Sequence, residues 1–140
     1  MKLLLILTIL VFPIVSFAKN VNDFDLTFSG WSHHIQNKGL NQDNQIVGFR
    51  YKQLEAFTLI NSFEHRAYGV GWYPQWAIND YINMGIQMGG MTGYTKKENR
   101  FQVGGITPYF APAVTFRYKH FGTEVALFND VLVFSAKLMI

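Results

Sequence analysis

The chain contains no cysteine, so a disulfide framework, a thiolate metal site and a lipoprotein acylation site are all excluded. Charge is scarce: charged residues make up 15% of the 140, fewer than the 16% that are aromatic, against about a quarter in an ordinary soluble domain. The basic residues are scattered rather than clustered, which argues against nucleic acid as a partner. Proline occurs only four times, and no apolar run outside the first twenty residues is long enough for a membrane-spanning helix.

What is present begins with "MKLLLILTILVFPIVSFAKN". Lys2 provides a positive start, Leu3 to Val15 an apolar segment, and Ser16-Phe17-Ala18 the small residues read by a signal peptidase. The expectation is a signal peptide over 1–18 and a single mature domain over 19–140. With Lys2 removed, the formal charge falls from +3 to +2. An exported chain poor in charge and rich in aromatics suggests a transmembrane β-barrel.

The mature segment shows no helical period but frequent alternation. In "YINMGIQMGG", Ile82, Met84, Ile86 and Met88 oppose Asn83, Gly85, Gln87 and Gly89. In "VTFRYKH", Val114, Phe116 and Tyr118 oppose Thr115, Arg117 and Lys119; in "VLVFSAKLMI", Leu132, Phe134, Ala136, Leu138 and Ile140 oppose Val133, Ser135, Lys137 and Met139. Charges share a face with small polar residues and avoid the apolar row, as in a barrel with lipid outside and a narrow polar lumen. Eight strands are expected, at about 24–34, 45–52, 55–63, 66–74, 80–92, 105–118, 122–129 and 131–140. The fold class is an all-β, eight-stranded antiparallel outer-membrane barrel with both termini on the periplasmic side. Tryptophans and tyrosines such as Trp31, Trp72, Trp76 and Tyr118 would form interface girdles, and Arg117, Glu124 and Lys137 would neutralise one another in the lumen.

"GWSHHI", residues 30–35, then poses a question: polar rim, metal ligands or a catalytic base? Adjacent strand residues point to opposite faces, which disfavours a metal pair. Unbroken alternation places Leu26, Phe28, Ser32 and His34 on the lipid row and Thr27, Ser29, Trp31 and His33 on the lumen row. A bulge near the rim would shift the row and bring in His34 instead. In the third strand, Ala56, Thr58, Ser62 and Glu64 share a face opposite Phe57, Leu59 and Phe63, with Ser62 pointing inward. Topology brings the ends of the first and third strands to the same outer rim.

The Trp and His ending the first strand, "LINSFEHRAYGVGWYPQW", "MGIQMGGMTGYTKKEN" and "ITPYFAPAVTFRYKH" together resemble the lipid A palmitoyltransferases of the Gram-negative outer membrane. The resemblance implies an acyl transfer from a membrane phospholipid to lipid A, by a monomer without cofactor or metal. It implies catalytic residues at His33 (or His34 as the alternative base), Ser62 and Asn61, the last replacing the family's Asp, with Glu64 as a possible acidic substitute. It also implies an acyl-chain slot in the lumen, where Gly85, Gly89 and Gly90 would leave room. A non-catalytic barrel that keeps the scaffold as a surface or binding protein stands beside this reading.

Overall fold

The computed structural model describes residues 22–36 and 39–140, so the expected signal segment lies outside the described residues. Nine strand segments follow in order: β1 (Phe24–His34), β2 (Val47–Tyr51), β3 (Leu54–Ile60), β4 (Arg66–Trp72), β5 (Gln75–Ala77), β6 (Ile82–Met91), β7 (Thr107–Tyr118), β8 (Phe121–Phe128) and β9 (Val131–Met139). Every pairing is antiparallel between neighbours, and β1–β9 together with β4–β6 close the sheet on itself.

β4 and β5 are two halves of one barrel strand. Trp72 pairs with Met88 and Gln75 with Gly85, the same register on both sides of Tyr73-Pro74. Pro74 interrupts the ladder because it has no N–H, yet its carbonyl still accepts the Ile86 N–H at 3.1 Å. The wall is therefore eight-stranded, as the alternation implies. Closure leaves no sheet edge running the length of the barrel.

Turns at 52–53, 78–81 and 119–120 close the rim where β1 begins and β9 ends, with Asp25 paired to Met139. Connections at 35–46, 61–65, 92–106 and 129–130 form the opposite rim. Short turns at one end and longer loops at the other are the usual asymmetry of outer-membrane barrels, so the second rim is called outer here.

One seam in the wall is incomplete. β7 and β8 pair from Tyr118↔Phe121 only as far as Ala113↔Ala126. The Arg117 N–H donates to Tyr81 on the β6 side, and alternation then turns the even positions of β7, including Pro108 and Pro112, toward β8. Neither proline has an N–H to give.

The two faces of the wall differ sharply. Outward rows carry Leu26, Phe28, Val47, Phe49, Val70, Trp72, Met84, Phe110 and Phe116, all exposed. So large an apolar surface is unsuited to water and matches the hydrocarbon band of a bilayer. Inward rows bury Asp25, Arg50, Glu55, Asn83, Gln87, Thr115, Glu124 and Lys137.

These charges are mutually satisfied. Asp25 accepts Arg50 Nε at 2.7 Å and faces Lys137 Nζ at 3.3 Å, while Lys137 Nζ also lies 2.8 Å from Glu124. Glu124 further accepts Tyr73 Oη at 2.5 Å, Gln87 Nε2 at 2.9 Å and Thr115 Oγ1 at 2.9 Å; Glu55 accepts Tyr109 Oη at 2.8 Å. The expected Glu124–Lys137 neutralisation is present. Arg117 is not part of it: its guanidinium donates to the Asp80 carbonyl and to Asn22 Oδ1 near the turn rim. Asp25 and Arg50 take the place expected of it.

Candidate functional site

The site is set by one irregularity in β1. Phe28 pairs with Ala136 but Trp31 with Phe134, so Ser29 and Gly30 together oppose Ser135 alone. Ser29 absorbs the extra residue with φ +60. This bulge reverses the rows beyond it. Trp31 and His33 turn outward, Trp31 stacking on Phe134 at 4.8 Å, and Gly30, Ser32 and His34 turn inward. The inward placement of His33 expected from unbroken alternation is thus corrected, and His34 is the inward histidine.

His34 is 4% exposed, and its Nε2 lies 2.8 Å from Ser62 Oγ. Ser62 sits in the turn that follows β3 and remains partly accessible. Its own position owes nothing to strand parity, since β3 ends at Ile60. Within β3 the expected faces are exchanged. Glu55 and Phe57 line the lumen beside Arg50 and Gly48, their partners in β2, and Ala56 and Thr58 lie on the outer face. Phe57 fits because Gly69 opposes it: a Cβ at Gly69 would lie 2.3 Å from the Phe57 ring.

Asn61 builds the turn rather than orienting the imidazole. Its Oδ1 accepts the backbone N–H of Phe63 at 2.9 Å and of His65 at 3.1 Å, and its Nδ2 donates to the Gly93 carbonyl at 2.8 Å. Each of these three partners is backbone, and Asn61 is 1% exposed. The expected contact with histidine is absent. Glu64 is exposed at φ +64 and makes no hydrogen bond or ion pair with His34. His34 Nδ1 and the nearby-row Ser32 Oγ are buried without a hydrogen-bond partner among the described residues.

Chemically, His34 and Ser62 form a dyad without its acid. When the Ser62 hydroxyl donates to a neutral Nε2, the imidazole is placed to take its proton. No carboxylate stands at Nδ1 to stabilise the imidazolium that would result. No three histidine, aspartate or glutamate side chains converge as metal ligands among the described residues.

The expected acyl slot is filled. Gly85 and Gly89 do face the lumen, but a Cβ at Gly85 would lie 2.5 Å from Tyr73, and one at Gly89 2.8 Å from the Tyr109 hydroxyl. Gly85 makes room for the Tyr73 ring, and Gly89 for the β4 backbone, whose Val70 carbonyl and Gly71 Cα would lie 2.3 and 2.5 Å from such a Cβ. Gly90 is corrected to the outer face, where the Ile106 side chain lies over it. A cavity of about 50 Å³ remains in the lumen, lined in part by Ile46, Phe57, Phe128, Arg50 and Lys137. That is room for a few waters.

Sequence reasoning did not anticipate the clasp between two outer loops. Besides Asn61, His65 Nδ1 approaches the Gly93 carbonyl at 3.2 Å, and Phe63 meets Tyr94 edge-on at 6.2 Å. Burial, and then the charge of Glu98, raise the Tyr94 phenol above its ordinary range. The only sequence signal was the turn-forming Asn-Ser pair beside a glycine-containing loop.

No family model matches the chain, and no curated protein matches it in sequence. Among solved structures it is similar to the outer membrane protein Ail of Yersinia pestis in a phospholipid bilayer nanodisc. The identity is 13%, the TM-score 0.52, and the match covers 86% of this chain and 100% of that one. A crystal structure of Ail, the attachment invasion locus protein of Yersinia pestis, matches at 13% identity over 82% of this chain and 92% of that one, with a TM-score of 0.38. At this identity the nanodisc structure speaks for the fold. The chain has the architecture of an outer-membrane barrel.

Proposed function

We propose that the chain is an outer-membrane β-barrel acting as a surface or binding protein, exported by its N-terminal segment and monomeric in the bilayer. The observation that carries this reading is the filled lumen. Tyr73, Tyr109 and the Asp25–Lys137–Glu124 network occupy the space an acyl chain would need. An outer surface and two clasped loops then remain for function, which is where binding barrels carry it. Mass spectrometry of lipid A from cells with and without the protein tests the reading. The expected result is identical lipid A, with the barrel in the outer-membrane fraction; an added acyl chain that depends on Ser62 would overturn it.

One observation favours a second reading, acyl transfer from phospholipid to lipid A: the 2.8 Å contact between His34 and Ser62 at the outer rim. In that reaction Ser62 Oγ attacks the ester carbonyl while His34 Nε2 takes its proton. The proton then goes to the departing lysophospholipid oxygen. The acyl group on Ser62 passes to a lipid A hydroxyl, whose proton restores the serine. A phospholipid-like fluorophosphonate is the direct probe. Labelling of Ser62 that is lost in His34→Ala but kept in His33→Ala would support this reading, and absence of labelling in wild type would remove it.

A further inference from the structure

Residues 92–106 join β6 to β7 at the outer rim and contain a turn at Thr95 to Arg100. The N–H groups of Glu98 and Asn99 donate to the Thr95 carbonyl at 3.1 and 3.0 Å. The Glu98 carboxylate accepts the Thr95 N–H at 2.7 Å and faces His65 Nδ1 at 3.6 Å. The loop's single carboxylate is therefore engaged within the protein. Lys96, Lys97 and Arg100 are exposed, with no ion-pair partner among the described residues.

Beyond the turn, Val103 and Ile106 exchange backbone hydrogen bonds of 3.0 and 3.1 Å around Gly104 and Gly105, at φ +60 and +82. Residues paired in this way share a face. Ile106 continues the outward row of β7 above Pro108 and Phe110 and lies over outward-facing Gly90. Val103 thus extends the lipid-facing row of the wall beyond its strand. Phe101 and Val103 are 83% and 81% exposed, more than any other large apolar residue described.

We infer that this loop is an interfacial anchor that docks onto the phosphate-bearing lipid headgroups of the leaflet in which the barrel sits. Lys96, Lys97 and Arg100 meet the phosphates, and Phe101, Val103 and Ile106 enter the boundary between headgroups and chains. Two features select lipid of the same bilayer over a protein or an opposing membrane. The apolar edge is continuous with the lipid-facing row, and the unpaired charge is all of one sign, complementary to anionic headgroups. The inference rests on the membrane reading proposed above.

The absence of cysteine makes single-site labelling clean. A fluorophore on Val103→Cys reports the loop, and one on Phe110→Cys reports the wall, in nanodiscs of phosphatidylcholine with or without phosphatidylglycerol. Acrylamide, a neutral aqueous quencher, reads exposure. The Phe110 label should be protected in both compositions. The Val103 label should be quenched about threefold less with phosphatidylglycerol present. This difference should vanish in Lys96→Glu/Lys97→Glu/Arg100→Glu and shrink at about 0.5 M salt. Equal quenching at Val103 in both compositions, with Phe110 protected, overturns the anchor and leaves the membrane reading intact. Free quenching at Phe110 overturns the membrane reading itself.

Discussion

His34 Nε2 and Ser62 Oγ stand 2.8 Å apart across 28 residues of sequence, and they meet because Ser29 adopts φ +60. The bulge and the contact are one arrangement. Ser29→Gly should retain the inward His34 and stabilise the barrel by up to about 1 kcal/mol, since glycine adopts this φ without strain. His34→Ala should cost about 1 kcal/mol through the lost hydrogen bond, and outward-facing His33→Ala less than about 0.5 kcal/mol. Urea midpoints of detergent-folded protein rank the three. A larger loss for His33→Ala than for His34→Ala would contradict the bulge.

Lys137 is the hub of the lumen, held between Asp25 and Glu124. Lys137→Met leaves buried Glu124 without its cation, while Asp25 keeps Arg50, and should cost about 3–5 kcal/mol. Pairing it with Glu124→Gln should recover part of the loss, because the stranded charge is then removed. Heat-modified migration on gels, followed across temperature, measures both.

The glycines of β6 separate packing from chain-length selection. Gly85→Met and Gly89→Met should block assembly, because the Tyr73 ring at Gly85 and the Val70 carbonyl and Gly71 Cα at Gly89 occupy the space their side chains need. Gly90→Ala should be milder than either, since what stands in its way is a side-chain methyl of half-exposed Ile106 rather than backbone or a packed ring. Yields of folded, protease-resistant barrel decide this. Efficient assembly of Gly85→Met would mean that the tyrosine does not fix that part of the lumen.

Position along the wall sets the cost of an outward charge. Met84→Arg, on the lipid-facing row, should destabilise the barrel by about 2–4 kcal/mol, and Tyr118→Arg, next to the turn rim, by about 0–1 kcal/mol. Equilibrium unfolding in phospholipid vesicles provides the comparison. Equal effects would argue against a bilayer around this wall.

Much of the fold was legible from alternation. In β6, β7 and β9 large apolar residues alternate with small or polar ones, and the structure keeps those rows. β1 was legible only to Phe28. Trp31 carried the missing signal: a tryptophan near the rim favours the membrane interface, and with Leu26 and Phe28 facing out, an outward Trp31 requires a change of phase. β3 misled for a different reason. The lumen at this level is apolar, filled by Phe57 against Gly48 and Gly69, so polarity was a poor guide to which face was inside. Asn61 looked catalytic by its place beside Ser62, and its role in the turn depends on Gly93, 32 residues away.

The unpaired stretch of β7 opposite β8 bears on how the barrel opens and closes in time. On its other flank β7 is paired with β6 from Thr107 to Phe116, but above Ala113↔Ala126 the prolines at 108 and 112 leave the β8 side with few amide donors. Opening there breaks few hydrogen bonds and so costs little. Deuterium uptake should therefore reach the Phe110 amide well before those of Val114 and Phe116 on the same strand. Pro112→Ala, which returns one donor to the seam, should slow uptake at its neighbours. The wall then breathes from its outer rim at this seam, while the Tyr118↔Phe121 end of the same hairpin stays zipped.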